Sequence, residues 1–255
     1  MKYTERIIPE DVSKTESEKI YLQHTARYEF ASKFVAGKKV LDIACGVGYG
    51  SKILQQADAT HVHGCDISDE AIGYARQHYT SDTITFEVMD ATKVTFPDNV
   101  FDCVVSFETI EHIKNYEDMI MEFYRILKDN GLLIISTPNR EIDSKDDSKP
   151  NNPFHIMEFN RQELLDLLGK KFSNVCLYSQ LILGKISFWR RIFRYLLHGL
   201  MRIDFMKLHT RVLSNKMYAK IGDMIVNIKQ NTPILYQNEH RPLVFVAVCR
   251  KKNHN

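Results

Sequence analysis

Three carboxylates and one glycine-rich turn carry most of the chemistry this sequence offers. The run Asp42-Ile-Ala44-Cys-Gly46-Val-Gly48-Tyr-Gly50 joins an acid to three glycines at alternate positions, and Asp66 and Asp90 follow at equal intervals. Glycines let a backbone approach a ligand closely, and the N–H groups that open a following helix face it. A dinucleotide fingerprint needs small residues at i, i+2 and i+5. Counted from Gly46 the last of these is Ser51, which disfavours a nicotinamide oxidoreductase. No Gly-Lys-Ser/Thr follows, so the P-loop pattern fails. An acid just before the turn would repel a pyrophosphate and suits a cationic ligand. If each acid closes a strand, Asp66 can grip ribose hydroxyls and Asp90 can accept from an exocyclic amine. The ligand so described has a ribose, an amine-bearing base and a positive centre, and no phosphate.

A second group is Glu108, Glu111 and His112, at i, i+3 and i+4. On a helix all three share a face. Two carboxylates there repel unless something positive lies between them, and Mg²⁺ or Mn²⁺ fits oxygen and imidazole ligands. Such an ion would bind vicinal hydroxyls of an acceptor and lower the pKa of one. The competing reading is two acids in a helix's first turn, favoured by the macrodipole. His155 lies in Asn152-Pro-Phe-His-Ile-Met-Glu-Phe159, after a polar loop. It can serve as a general base, as a further metal ligand, or as a loop histidine capping a helix near Phe159-Asn160.

The elements that must hold these residues alternate in type. Helical spacing covers 18–36, about 51–56, 68–78, 116–128 and 161–169, with Asn130-Gly131 as a stop signal for the fourth. Strand patterns cover 39–43, 61–66, 83–88, 101–107, 132–136, 175–181 and 243–249. This rhythm predicts βαβ units, right-handed crossovers and a mostly parallel sheet. The acids then converge outside the carboxyl ends of the strands. Residues 139–153 are polar and form a loop where a substrate lid can sit.

The series VLDIACGVGYG, GCDIS, VMDAT, FDCVVSFETIEHI and GLLIISTPN resembles the class I S-adenosylmethionine-dependent methyltransferases, over roughly residues 20–180. It is similar to the branch of the ubiquinone-biosynthesis O-methyltransferases. The resemblance implies a Rossmann-like fold: a mostly parallel seven-stranded sheet with an antiparallel edge strand and a helical insertion before the last strand. It implies S-adenosylmethionine as cofactor. Asp42, Ala44, Gly46 and Gly48 would line its methionine part, and Arg27 would meet the carboxylate. Asp66 and Ile67 would hold the ribose side, Asp90 and Ala91 the adenine, and Phe107 the end of the fourth strand. Ala44 stands where the family usually has glycine. The Glu-x-x-Glu-His pattern resembles the metal site of that branch and of enzymes methylating the terminal ribose of small RNAs. ERIIPE, HTARYEFA, STPN and NPFHIMEF look like a bacterial subgroup associated with surface glycans. That implies a sugar hydroxyl as acceptor; the candidate catalytic side chains are His155 and His112. The alternatives are a phenol or quinone-precursor acceptor, and a cofactor-binding subunit without catalysis.

Composition bounds the rest. The chain has 255 residues and a net charge of +2, too small to imply nucleic acid as a partner. Its length suggests one large domain with attachments: a helical segment 1–36, a cofactor domain over 37–180 and 242–251, and a basic insertion 181–241. The insertion holds 11 Lys or Arg against three acids. Within it, 186–208 mixes Phe188, Trp189 and Phe193 with Arg190, Arg191 and Arg194. It can pack as a cap, lie on an anionic membrane or form a homodimer interface. The five cysteines include no CxxC pair and sit mostly in apolar runs, as in a reducing compartment. The charged N-terminus lacks a signal-peptide pattern, and no run of 18 apolar residues occurs. The expected location is the cytoplasm, with contact at the inner face of the membrane through 186–208.

Overall fold

The computed structural model describes residues 15–143, 150–181, 225–228 and 242–252. Among these are eight strands: β1 (Lys39–Ile43), β2 (His61–Asp66), β3 (Ile84–Val88), β4 (Phe101–Phe107), β5 (Leu127–Pro138), β6 (Phe172–Leu181), β7 (Ile225–Ile228) and β8 (Pro242–Lys251). The helices are α1 (Thr15–Ser32), α2 (Tyr49–Gln56), α3 (Asp69–Tyr79), α4 (Tyr116–Ile126), α5 (Arg140–Asp143) and α6 (Arg161–Gly169). One sheet runs in the order β3-β2-β1-β4-β5-β8-β6-β7. The first five strands pair in parallel, whereas β8 is antiparallel to both β5 and β6, and β7 to β6.

Alternating residues of the central strands feed two cores. Leu41, Val104, Leu133 and Ile135 pack on the side of α4 and α6. Val40, Cys103, Val105, Leu132 and Ile134 pack on the side of Tyr28, Leu54 and Ile72, from α1, α2 and α3. Both faces of these strands are therefore apolar, as a sheet covered by helices on both sides requires. Each fully buried aliphatic side chain contributes about 1.5–3 kcal/mol.

The Rossmann-like, mostly parallel sheet matches expectation, but it has eight strands among the described residues where seven are expected, the extra one being β7. Strand β8 inserts between β5 and β6, and the outermost strand is β7. That strand comes from within 181–241, so four residues expected as helix are extended. The remainder of 182–241, with the basic stretch 186–208, lies outside the described residues. The fourth long helix also ends earlier than its apolar spacing predicts. It stops at Ile126 and β5 begins at Leu127. Asn130 takes a left-handed φ of 61°, and the β4–β5 register shifts between Phe101 and Cys103, so Lys128–Gly131 form an irregular stretch inside β5 instead of a helix stop. A side chain on Gly131 would meet the Lys128 carbonyl at 2.7 Å.

Of the five cysteines, which are all free, Cys45, Cys65, Cys103 and Cys249 are buried and Cys176 is exposed. No helix among the described residues is long and apolar enough to cross a membrane.

Candidate functional site

Strand order reverses at β1, which has β2 on one side and β4 on the other. Ligands of open α/β sheets bind at such a switch point, outside the carboxyl ends of the strands. The turn after β1 is built for close approach. Ala44, Gly46 and Gly48 all take positive φ, at 62°, 56° and 87°. The alanine tolerates a conformation that costs an L-residue roughly 1–2 kcal/mol. The two glycines differ in purpose. A Cβ on Gly48 would lie 2.8 Å from Ala75 and 2.9 Å from Phe86, whereas one on Gly46 meets nothing within 4 Å. Gly48 thus lets α2 pack, and Gly46 leaves open backbone over the crevice.

Asp66 ties this turn down. Its Oδ2 accepts from the Gly46 N–H at 2.9 Å and its Oδ1 from the Ser68 N–H at 2.9 Å. Ser68 in turn caps α3, accepting from the Ala71 N–H. Ile67 beside it is 68% exposed, an apolar side chain in the open next to a polar grip. At Asp90, Oδ1 accepts from both the backbone N–H and the hydroxyl of Thr92 at 2.8 Å. Those bonds hold its carboxyl below the usual range, so it is charged near neutrality. Ala91 and Phe107 are buried.

Asp42 is engaged by side chains of two helices. It is fully buried, with Oδ1 accepting from the Tyr28 hydroxyl at 3.1 Å and Oδ2 from Ser51 at 2.6 Å. It fastens α1 and α2 to β1 beneath the turn, and Tyr28 also packs edge-on against Phe107 at 5.0 Å. Burial pushes the Asp42 carboxyl up to about 7. From the ordinary carboxylate range to about pH 7 the unfolded chain has released this proton and the folded chain keeps it. Stability contributed by this group therefore falls as pH rises through that window. Asp42→Asn should flatten that part of the profile. Thermal melts of both proteins between about pH 4 and 8 check this, and equal slopes would refute it.

On the other side of β1, Arg27 of α1 is buried at 1% exposure and directs Nη2 to within 3.9 Å of Glu108 Oε2. Glu108 does not begin a helix. Its φ is 49°, and Ile110–His112 form a single 3-10 turn. The expected common helical face of Glu108, Glu111 and His112 is therefore absent. Glu108 turns instead to Ser136, whose hydroxyl donates to its Oε1 at 2.7 Å.

The cluster that does form is Glu111, His112 and His155, whose ligand atoms all lie within 4.8 Å of one another. Glu111 is fully buried, and its Oε2 accepts from Thr137 at 3.0 Å. Its Oε1 has no hydrogen-bond partner among the described residues and lies 4.0 Å from His112 Nε2. Burial, with the Glu108 charge adding to it, pushes the Glu111 carboxyl well above the usual range. His112 Nδ1 is 3.0 Å from the Phe154 carbonyl. A carbonyl only accepts, so Nδ1 carries the proton. Both ring nitrogens of His155 are engaged. Nδ1 donates to the buried carboxylate of Glu158 at 2.7 Å, and Nε2 accepts from Asn152 Nδ2 at 2.9 Å. The Asn152 orientation follows because its Oδ1 already accepts from the Phe154 N–H. The His155 ring stands edge-on to His112 at 4.9 Å. It caps no helix, since Asn160 and Glu163 form the capping box of α6.

Sequence reading did not single out Tyr28, Ser136, Thr137, Glu158 or Gln180. Tyr28 and Glu158 lie inside the quoted HTARYEFA and NPFHIMEF segments, but their partners are set by the fold. A divalent ion fits Glu111 Oε1 and His112 Nε2. It fits His155 only if Asn152 or Glu158 gives up its bond.

Residues 41–135 match the family model described as a methyltransferase domain. A probable S-adenosylmethionine-dependent methyltransferase of Mycolicibacterium smegmatis is 32% identical over 58% of this chain and 56% of its own length. One from Mycobacterium tuberculosis is 34% identical over 58% of this chain and 53% of its own. The chain thus spans about half the length of these curated relatives. A phosphoethanolamine N-methyltransferase of Triticum aestivum is 37% identical over 39% of this chain and 20% of its own. Among solved structures, an S-adenosylmethionine-dependent methyltransferase of Thermotoga maritima has a TM-score of 0.60 at 17% identity, covering 93% of this chain and 95% of its own.

Proposed function

We propose, from the match of residues 41–135 to a methyltransferase-domain model, that this chain transfers a methyl group from S-adenosylmethionine to a hydroxyl. The narrower reading takes that hydroxyl from a sugar in a surface polysaccharide or its precursor. When bound, the cofactor supplies an electrophilic methyl carbon on a sulfonium. The observation that carries the hydroxyl reading is the buried Glu111 Oε1, without a hydrogen bond among the described residues, facing His112 Nε2 across 4.0 Å.

The cofactor side fits residue by residue. Gly46 offers open backbone, Asp66 and Asp90 fixed carboxylates, and Arg27 a buried guanidinium for a carboxylate. On the acceptor side, a hydroxyl is a poor nucleophile and gains about 10²–10⁴-fold from a general base. An amine acceptor, as in the name of the Triticum relative, needs this less. His112, with its proton fixed on Nδ1, receives the acceptor's proton on Nε2. Glu111 beside it, in its ionised form, stabilises the resulting imidazolium, whose positive charge 4.0 Å away favours that form. His155, locked by Glu158 and Asn152, supports the His112 ring from the side. The sugar itself rests on the likeness of the NPFHIMEF segment, and residues 186–208 would suit a lipid-linked form of it.

A second reading is favoured by the same unpaired oxygen. Mg²⁺ or Mn²⁺ held by Glu111 and His112 would acidify a bound hydroxyl. Thermal melts with S-adenosylmethionine, S-adenosylhomocysteine and NAD, each with and without Mn²⁺, test both. A ligand at about 100 times its Kd adds ~2.7 kcal/mol, a shift of roughly 5–10 °C for a domain of this size. Both adenosyl compounds should give it and NAD should not; no shift with either overturns the cofactor assignment. A further Mn²⁺-dependent rise would select the metal reading. Turnover on sugar nucleotides, catechols and phosphoethanolamine then separates the acceptors.

A further inference from the structure

Arg27 is buried, and its guanidinium is only partly bonded. Nη1 donates to Gln180 Oε1 at 2.7 Å, Nη2 stands 3.9 Å from Glu108, and Nε has no partner among the described residues. A guanidinium in such a place is costly unless it is paired and fully bonded. Glu108 approaches as an ion pair without a hydrogen bond, and its other oxygen accepts from Ser136, so the guanidinium keeps donors in hand.

The other member of this contact, Gln180 of β6, is itself 4% exposed. Its amide nitrogen donates to the Gln23 carbonyl at 2.9 Å. With the nitrogen committed, only the oxygen can face Arg27, so the direction of the amide is decided. Gln23 and Arg27 are four residues apart on α1, hence one turn apart. A single side chain thus grips α1 at two successive turns. Because an amide is neutral, it orients the guanidinium without quenching its charge.

We propose that Gln180 is a positioning residue. It holds Arg27 through Nη1 and leaves the charge for the amino-acid carboxylate of the cofactor. The inference rests on the reading that S-adenosylmethionine is that cofactor and that Arg27 meets its carboxylate. A carboxylate takes up charge-assisted, forked bonds from a guanidinium best when the plane is fixed in advance.

The test uses the full chain, calorimetry and two probes. S-Adenosylhomocysteine carries the amino-acid carboxylate; methylthioadenosine shares the adenosine and lacks it. Gln180→Glu puts a competing anion on Nη1. It should weaken S-adenosylhomocysteine about ten-fold or more, the loss of one charged hydrogen bond. Methylthioadenosine should bind as before. Gln180→Met, which removes the acceptor without adding charge, should also lower the ratio of the two affinities. It serves if Gln180→Glu does not fold. An unchanged ratio in the folded variants would overturn the proposal, as a purely structural role predicts equal losses for both probes. If the unaltered protein bound methylthioadenosine and S-adenosylhomocysteine equally, the role of Arg27 would fall. If it bound neither, the cofactor reading would fall, and the inference with it.

Discussion

Asp66→Ala should weaken S-adenosylmethionine binding by about two orders of magnitude, because the carboxylate holds the turn and is the proposed partner of the ribose. Its two oxygens each take one backbone N–H, from Gly46 in the turn after β1 and from Ser68 at the head of α3. Bonds to a charged acceptor are worth about 1.5–3 kcal/mol each. Losing both frees a turn whose left-handed residues cost strain to hold, and it removes the partner expected for the ribose. Part of the loss falls on stability, since the Ser68 cap loosens. Part falls on affinity, where ~2.7 kcal/mol corresponds to about 100-fold. Calorimetry on the folded variant measures it. Asp66→Asn should be intermediate, because its NH₂ is set against one of the two donors. A variant that binds within about three-fold of the unaltered chain would show that Asp66 is only a cap.

Glu111→Gln should behave in the opposite way: lower turnover by about 100-fold or more, within the range for lost acid–base assistance, with a melting temperature unchanged or higher. The amide keeps an acceptor for Thr137, which donates to Oε2 in the parent. Its new NH₂ can donate toward His112 Nε2, which lies 4.0 Å from the unpaired oxygen. The desolvation penalty that burial imposes on this carboxyl is removed, and such replacements are often neutral or stabilising. Loss of function with gain of stability is the mark of a group retained for chemistry. Initial rates with a working acceptor, read beside a thermal melt, decide it. If turnover is kept within a few-fold, Glu111 is structural. If an Mn²⁺-dependent shift exists and vanishes in this variant, the carboxylate is a ligand.

Much of the cofactor half was legible because its signals are local. Apolar runs closed by Asp66 and the turn before Gly46 need no knowledge of distant partners, and the strands there fall within a residue of where the pattern puts them. The acceptor half depends on contacts between distant segments. Nothing in SFETIEHI reveals that Glu108 is left-handed, because Ser136, 28 residues on, is what receives it. Ser51 enters the sequence argument only as the residue that breaks a dinucleotide fingerprint. Folded, it is one of two donors that keep Asp42 in place. Likewise Glu158 is simply three residues beyond His155 until the loop closes and its carboxylate meets Nδ1. Gln180 sits 153 residues from the arginine it holds, and no pattern in one sequence links such a pair. Strand β7 is not legible in the sequence because its stretch is basic and lacks the alternation that marks a half-buried strand.

The position of β8 bears on how the chain acquires its shape. Residues 39–138 supply β1 to β5 by short βα steps, whereas β8 must cross residues 139–241 to lie against β5. Long-range pairing of this kind slows folding, since closure entropy is lost before contacts form. Until β8 arrives, β5 presents an unpaired edge carrying Leu133 and Ile135, side chains destined for full burial. An open, apolar edge pairs readily with another chain. Aggregation during refolding should therefore rise with protein concentration and be relieved by anything that hastens the docking of β8, a burden set by strand order and unrelated to catalysis.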